Sequence, residues 1–197
     1  MKQIDSCTGL NRDFYIDQYW SFSLAVYANR QVAQWCLGLQ NQAGANVNIL
    51  LLLWWLGEKE VSLNATQLNT LHETAIAFDD QMLKPLRELR KKAKTRCAAS
   101  LYQEIKKVEL ALEKHQQEEL LTQLLINKSE LTESSMVHPL QSFSQEHITQ
   151  NHPSHQACHG VTLQGRHNLA GYLGLIGLSG TASHTMLALL EKAIMVE

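Results

Sequence analysis

Within eight positions, His152-Pro153-Ser154-His155-Gln156-Ala157-Cys158-His159 offers imidazole and thiolate groups at two-residue separations that zinc or nickel accepts. His152, His155, Cys158 and His159 are therefore the candidate metal ligands, in a chain where seven of nine histidines follow residue 137. A structural zinc site normally pairs two such half-sites, and no second one is present. The surrounding stretch, 127–162, holds two of the three prolines among Ser, Gln and His without periodicity. That composition describes a long polar loop or insert, and metal binding is the lesser reading.

A second group of candidates is made of amides. Gln40, Asn41, Asn46 and Asn48 lie beside the most apolar stretch of the chain, Ile49 to Leu56. Together with Trp55 they could line a small-molecule pocket, because a few convergent polar groups on an apolar wall are what such pockets contain. The plainer reading is architectural: Asn46 caps the helix that follows, and its neighbours satisfy free backbone groups at the corner. Trp20, Phe22, Tyr27, Trp35, Trp54 and Trp55 fit a core better than a ligand box at helical spacing.

The third candidate is electrostatic. Seven cations fall between Lys84 and Arg96, and Arg87, Arg90 and Lys94 share one helix face at spacings of three and seven. That face could grip a phosphate or an acidic partner surface. Basic residues also gather at helix C-termini to complement the dipole, so a solvated face is the alternative. No aromatic residue interrupts the run, and no nucleic-acid motif accompanies it. No P-loop, nucleophile elbow or dinucleotide fingerprint occurs either, so no catalytic residue and no cofactor is assigned.

The elements that carry these residues read as helices throughout. A first helix is expected from about Asp13 to Asn29 on the spacing of Tyr15, Tyr19, Phe22 and Val26, and a second from Val32 to Gln42, stopped by Gly44. Asn46 starts a third, Val47 to Leu56, apolar all round and hence central, with Gly57 closing it. Ser62 or Asn64 caps a fourth reaching about Lys94. Its apolar stripe is Leu68, Leu71, Ala75, Phe78, Met82, Leu86 and Leu89, and Pro85 should kink it. A fifth spans about Ala98 to Ile126. Leu163 to Leu178 and Ala182 to Val196 complete the set. Gly171, Gly174 and Gly177 recur there at every third position and are expected to pack closely against a neighbour.

Composition agrees. The chain has 197 residues, 45% of them hydrophobic and only 18% charged, with a formal net charge of −2. Bulk attraction to nucleic acid or acidic lipid is thus not expected. The longest apolar run is eight residues, against roughly 20 for a membrane span. Cys7, Cys36, Cys97 and Cys158 are dispersed, and the first ten residues lack an apolar segment. Both features suggest a reducing, cytoplasmic setting.

The segment Leu39-Gln40-Asn41-Gln42-Ala43-Gly44-Ala45-Asn46-Val47-Asn48-Ile49-Leu50-Leu51, with Trp55-Leu56 following, resembles the hallmark of an uncharacterised bacterial family of small helical proteins. Its pattern is L-Q-D-x-x-G-x-D-V-N-x-L-L, then W-L. Trp20 to Tyr27, Val32-Ala33 near Cys36-Leu37, and Pro85 to Lys91 match as well, so the likeness covers about 18–126. It extends more weakly to Asn168–Leu173. The resemblance implies an all-helical bacterial cytoplasmic protein, and a domain of unknown function. Asn41 and Asn46 stand where the pattern has aspartates, which argues against an acid–base role.

The expectation is an all-α, compact bundle of five to seven helices around a central apolar helix. It comprises a helical core over 13–126, the polar insert, and a C-terminal segment, 163–196, that packs back on the core. Functionally, a non-enzymatic interaction or accessory protein using the basic helix face is the leading reading. A pocket lined by the helix 2–3 amides, in a binding protein or an enzyme, is the alternative, and metal binding by the insert is a third. A protein partner is expected, nucleic acid and membrane are not, and oligomeric state is left open.

Overall fold

A computed structural model describes residues 5–130 and 160–195, and side chains over 12–125 and 160–195. The described residues contain helices and no strand. In chain order these are α1 (Asp5–Ala28), α2 (Arg30–Ala43), α3 (Val47–Glu58), α4 (Ala65–Phe78), a π-turn (Asp79–Leu83), α5 (Lys84–Arg96), α6 (Ala99–Glu130), α7 (Leu163–Leu175) and α8 (Thr181–Met195). The backbone stays helical from α4 through the π-turn into α5, so these form one continuous rod, and the described residues make seven rods.

Local chemistry sets the ends of the helices around the centre. Asn29, Asn46 and Asn64 each take an extended backbone, and their side chains accept hydrogen bonds from the first free N–H groups of α2, α3 and α4. Gln67 answers Asn64 in a reciprocal capping box. Gly44 ends α2 with φ 68°, the left-handed conformation that glycine adopts without a Cβ clash.

Helix α3 is the centre. Every residue from Asn48 to Gly57 is buried, and α1, α2, α4, α6 and α7 all pack on it. Full burial of each leucine in this stretch removes about 1.5–3 kcal/mol of apolar exposure. Gly57 does not close the helix as its sequence position suggests. It lies inside α3, and a Cβ built on it would stand 2.2 Å from the Gly165 Cα of α7. The two helices cross there backbone to backbone, which is why both residues lack side chains. The expected role of Gly171, Gly174 and Gly177 shifts accordingly. Gly171 approaches Leu68, Gly174 faces open space, and Gly177 turns the chain after α7 with φ 90°.

The fourth rod departs from expectation at its middle. Leu68, Leu71 and Ala75 are buried as the stripe requires, but the burial then continues through Asp79 and Leu83 while Met82 and Leu89 are exposed. A π-turn closes on i→i+5 bonds and stretches the spacing of residues on one face. Positions four apart, 75, 79 and 83, therefore stay inward, while Met82 and Leu89 turn outward and Phe78 and Leu86 are half-buried. The π-turn also ends two residues before Pro85. Proline lacks an N–H and crowds the carbonyl of the preceding turn, so the altered bonding accommodates it.

Candidate functional site

Beyond Ala75 the chain leaves the main hydrophobic cluster and rejoins it only at Leu120, with Leu83 and Ala93 buried apart from it. Within that excursion α5 packs on the π-turn and α6 alone, so α5 and the first half of α6 form an antiparallel two-helix arm. Core and arm are joined by polar groups, and these include the sequence-nominated amides.

Asn46 caps α3 with its Oδ1, and its Nδ2 donates to Asp79 Oδ2 (3.1 Å) and Gln116 Oε1 (3.3 Å). Asn48 Nδ2 donates to Gln116 Oε1 (2.7 Å), and Asn48 Oδ1 accepts from Gln117 Nε2 (2.9 Å). Gln116 Nε2 donates to the Ala75 carbonyl and to Asp79 Oδ1, both at 3.1 Å. The Asn46 N–H donates to the Tyr172 hydroxyl at 3.0 Å, and the Tyr19 hydroxyl donates to the Asn48 carbonyl. Burial pushes the Tyr172 phenol up to about 12, opposed by the Asn46 N–H and reinforced by the Asp79 carboxylate. Burial likewise holds Tyr19 well above its ordinary range.

These contacts saturate Asn46 and Asn48 with other protein groups. Gln40 is half-buried and Asn41 exposed, and neither joins the network. Trp55 is buried and packs on Tyr19 with ring centroids 5.6 Å apart. Of the five nominated residues, the network thus brings together Asn46 and Asn48. A groove of about 400 Å³ lies elsewhere, lined by Leu63, Asn64, Leu68, His167, Gly171 and Leu175.

Sequence reading missed Asp79, Gln116, Gln117, Tyr19 and Tyr172 as partners. Signals existed: Gln116 and Gln117 sit four residues before the buried Leu120 and Leu121, and Asp79 sits four after Ala75. A polar residue at a core-facing position needs a partner, so each of these carries information.

In the arm, the basic residues divide into two groups. Arg87 and Arg90 face the seam. Arg87 pairs with Glu109 (3.6 Å) and Glu113 (3.2 Å), and Arg90 pairs with Glu109. Hydrogen bonding to Glu109 raises the Arg90 guanidinium above its usual value. Glu113 is raised instead, because burial outweighs its Arg87 bond. These two arginines therefore neutralise the buried Glu109 and half-buried Glu113 carboxylates rather than present free charge. Lys94 is exposed, as are Lys92, Arg96 and Lys106, and none of the four holds an ion pair among the described residues. The Lys106 ammonium sits 6.0 Å from the Tyr102 ring.

Exposed apolar side chains accompany these cations. Leu89, Leu101 and Val108 are each about half exposed, and Leu110 nearly so. Residues 84–113 hold nine cations and four carboxylates, a formal +5 in a chain of −2 overall. The remainder carries −7, so the arm is an electrostatically separate surface.

His152, His155, Cys158 and His159 lie outside the described residues. Among the described residues no group of three or more His, Cys, Asp or Glu could hold a metal ion. No helix of the described residues is long and apolar enough to cross a membrane.

Residues 18–120 match the model of a family of proteins of unknown function, DUF2390, and the chain belongs to that family. The matched span contains the arm and every member of the amide network except Tyr172. No curated protein and no solved structure matches the chain significantly.

Proposed function

We propose that this DUF2390 member is a non-enzymatic helical interaction protein whose contact element is the α5–α6 arm. The observation that carries the reading is the excursion of the arm from the core. Between Ala75 and Leu120 only Leu83 and Ala93 are buried apolar residues, and neither joins the main hydrophobic cluster, yet this stretch holds exposed leucines and a concentrated positive charge. Exposed apolar residues grouped with one sign of charge mark surfaces that bind macromolecules. The contact face differs from the one that sequence spacing suggests: Arg87 and Arg90 fix the arm's geometry, and Lys92, Lys94, Arg96 and Lys106 supply the free charge. A cytoplasmic protein partner is the setting this reading fits.

The test is site-specific photo-crosslinking in cells, with the probe at Lys92, Lys94 or Lys106 and, as controls, at Asn69 and Glu73 on the exposed side of α4. Crosslinked species should form from the arm positions and be lost when the other two of Lys92, Lys94 and Lys106 are replaced by Glu. Equal crosslinking from α4 and the arm would sink the reading.

A further inference from the structure

We infer that one face of the α5–α6 arm is a docking groove for an acidic amphipathic helix of a partner protein. This rests on the interaction reading above and deepens it by naming the chemistry of the partner.

The face is identified by its register. Leu86 and Leu89 each precede a seam arginine by one residue, and Val108 and Leu112 each precede a seam glutamate by one. One residue turns a helix by about 100°. In two antiparallel right-handed helices, equal offsets from the seam fall on the same side of the pair. Leu101 and Ile105 extend the α6 half of this stripe, seven and three residues before Val108. Leu86, Leu89, Leu101, Ile105, Val108 and Leu112 thus form one apolar strip over two parallel ridges. Its outer members, Leu89, Leu101 and Val108, are 53%, 51% and 51% exposed. A groove between two helices, lined at helical spacing, is the receptor half of helix-in-groove recognition.

Charge selects the occupant. Lys92 and Arg96, three and seven residues after Leu89, border the strip without ion pairs among the described residues. A second copy of the chain would bring another arm of formal +5 against this one, so self-association is opposed by the same field that attracts an acidic helix. The strip runs along a groove between two helices, a shape that a single helix fills, and holds no Trp or Phe, two of the side chains that commonly anchor a helix in a lipid interface. Its apolar centre would also lie under a phosphate backbone with nothing to bond to it. An amphipathic helix with leucine-like residues on one face and carboxylates at its edges satisfies both strip and rim.

The experiment uses the full chain and a fluorescent synthetic peptide of about five helical turns, with leucines at i, i+3, i+4, i+7 and glutamates elsewhere. Controls are a peptide of the same composition in scrambled order, a lysine counterpart, an oligonucleotide and phosphatidylglycerol vesicles. The ordered acidic peptide should bind, and Leu89→Asp with Val108→Asp should weaken it at least about tenfold. Leu110→Asp introduces one of the two negative charges of that double variant, but Leu110 follows Glu109 and so lies on the opposite side. It should alter binding by no more than about twofold. Circular dichroism melts check that each variant is folded.

Equal binding of the scrambled peptide, or no binding of the ordered one, overturns the groove and leaves the interaction reading intact if arm crosslinks form. Tighter binding of oligonucleotide or vesicles, lost in the Leu89→Asp, Val108→Asp variant, overturns the assigned partner class. Sedimentation showing a dimer that Leu89→Asp dissolves would make the occupant a second copy and overturn it equally. Absence of arm crosslinks removes the interaction reading itself.

Discussion

Helices α3 and α7 meet through bare backbone at Gly57 and Gly165, with leucine and tryptophan filling the space around them. Helices α5 and α6 meet through Arg87, Arg90, Glu109 and Glu113, with leucines left on the outside. Both are helix pairs in one chain, yet their chemistry is inverted. In the first, close approach and apolar burial supply stability, since dispersion and dehydration act over every atom in contact. In the second, paired charges fix geometry and register but contribute less net stability, because removing them from water offsets much of their attraction. The contrast indicates where this molecule keeps a surface available for work: on the pair that does not need its apolar residues for its own seam.

The contrast is most open to attack at the glycine crossing. Gly57→Ala should destabilise the fold by about 3 kcal/mol or more, because a Cβ 2.2 Å from a backbone atom cannot be relieved by a rotamer change. Chemical denaturation would measure it, and a loss below about 1 kcal/mol would show that α3 and α7 can slide apart.

Next in size is the polar joint. Asn46→Ala removes a helix cap and one amide donor to the buried Asp79 carboxylate, a combined loss expected near 2–3 kcal/mol. Asn46→Asp keeps the cap but sets a second carboxylate against Asp79. Its destabilisation should shrink as pH is lowered and one of the pair takes up a proton. If Asn46→Ala costs only the cap, the joint is no more than a helix start.

A comparable but conditional effect comes from Tyr172. Its folded pKa of about 12 exceeds the ordinary phenol value of 10, so the unfolded chain loses its proton first as pH rises. Stability from this group is full below pH 10 and falls progressively through pH 12, by at most roughly 2–3 kcal/mol. Tyr172→Phe should reduce that alkaline limb of the stability profile, with Tyr19, Cys36 and Tyr27, which burial also raises, contributing what remains.

The smallest expected effect is dynamic. Native-state hydrogen exchange should show amides of α5 and the first half of α6 opening at lower free energy than those of α3 and α7. Equal protection would mean that core and arm unfold as one cooperative unit, and the comparison would fail.

Much of this was fixed by residue order. Apolar periodicity, the caps at Asn46 and Asn64, the Gly44 stop and the unbroken Ile49–Leu56 run specify helices, their starts and the central one, because these are effects of neighbours within a turn or two. The family resemblance read from Leu39–Leu51 points the same way as the matched family model. What the order of residues did not decide was pairing. The stripe Phe78, Met82, Leu86, Leu89 reads as core, and Arg87 and Arg90 read as a free cationic face. Only the π-turn, which lengthens one turn, and the antiparallel return of α6 leave Met82 and Leu89 in water and draw Arg87 and Arg90 into the seam. Likewise, the amides beside Asn46 were visible as polar groups near an apolar helix, while Asp79, Gln116 and Gln117 complete them from 33 to 70 residues away. Local backbone chemistry is written in the sequence; which charge meets which, and which leucine remains in water, is settled only when distant segments close on one another.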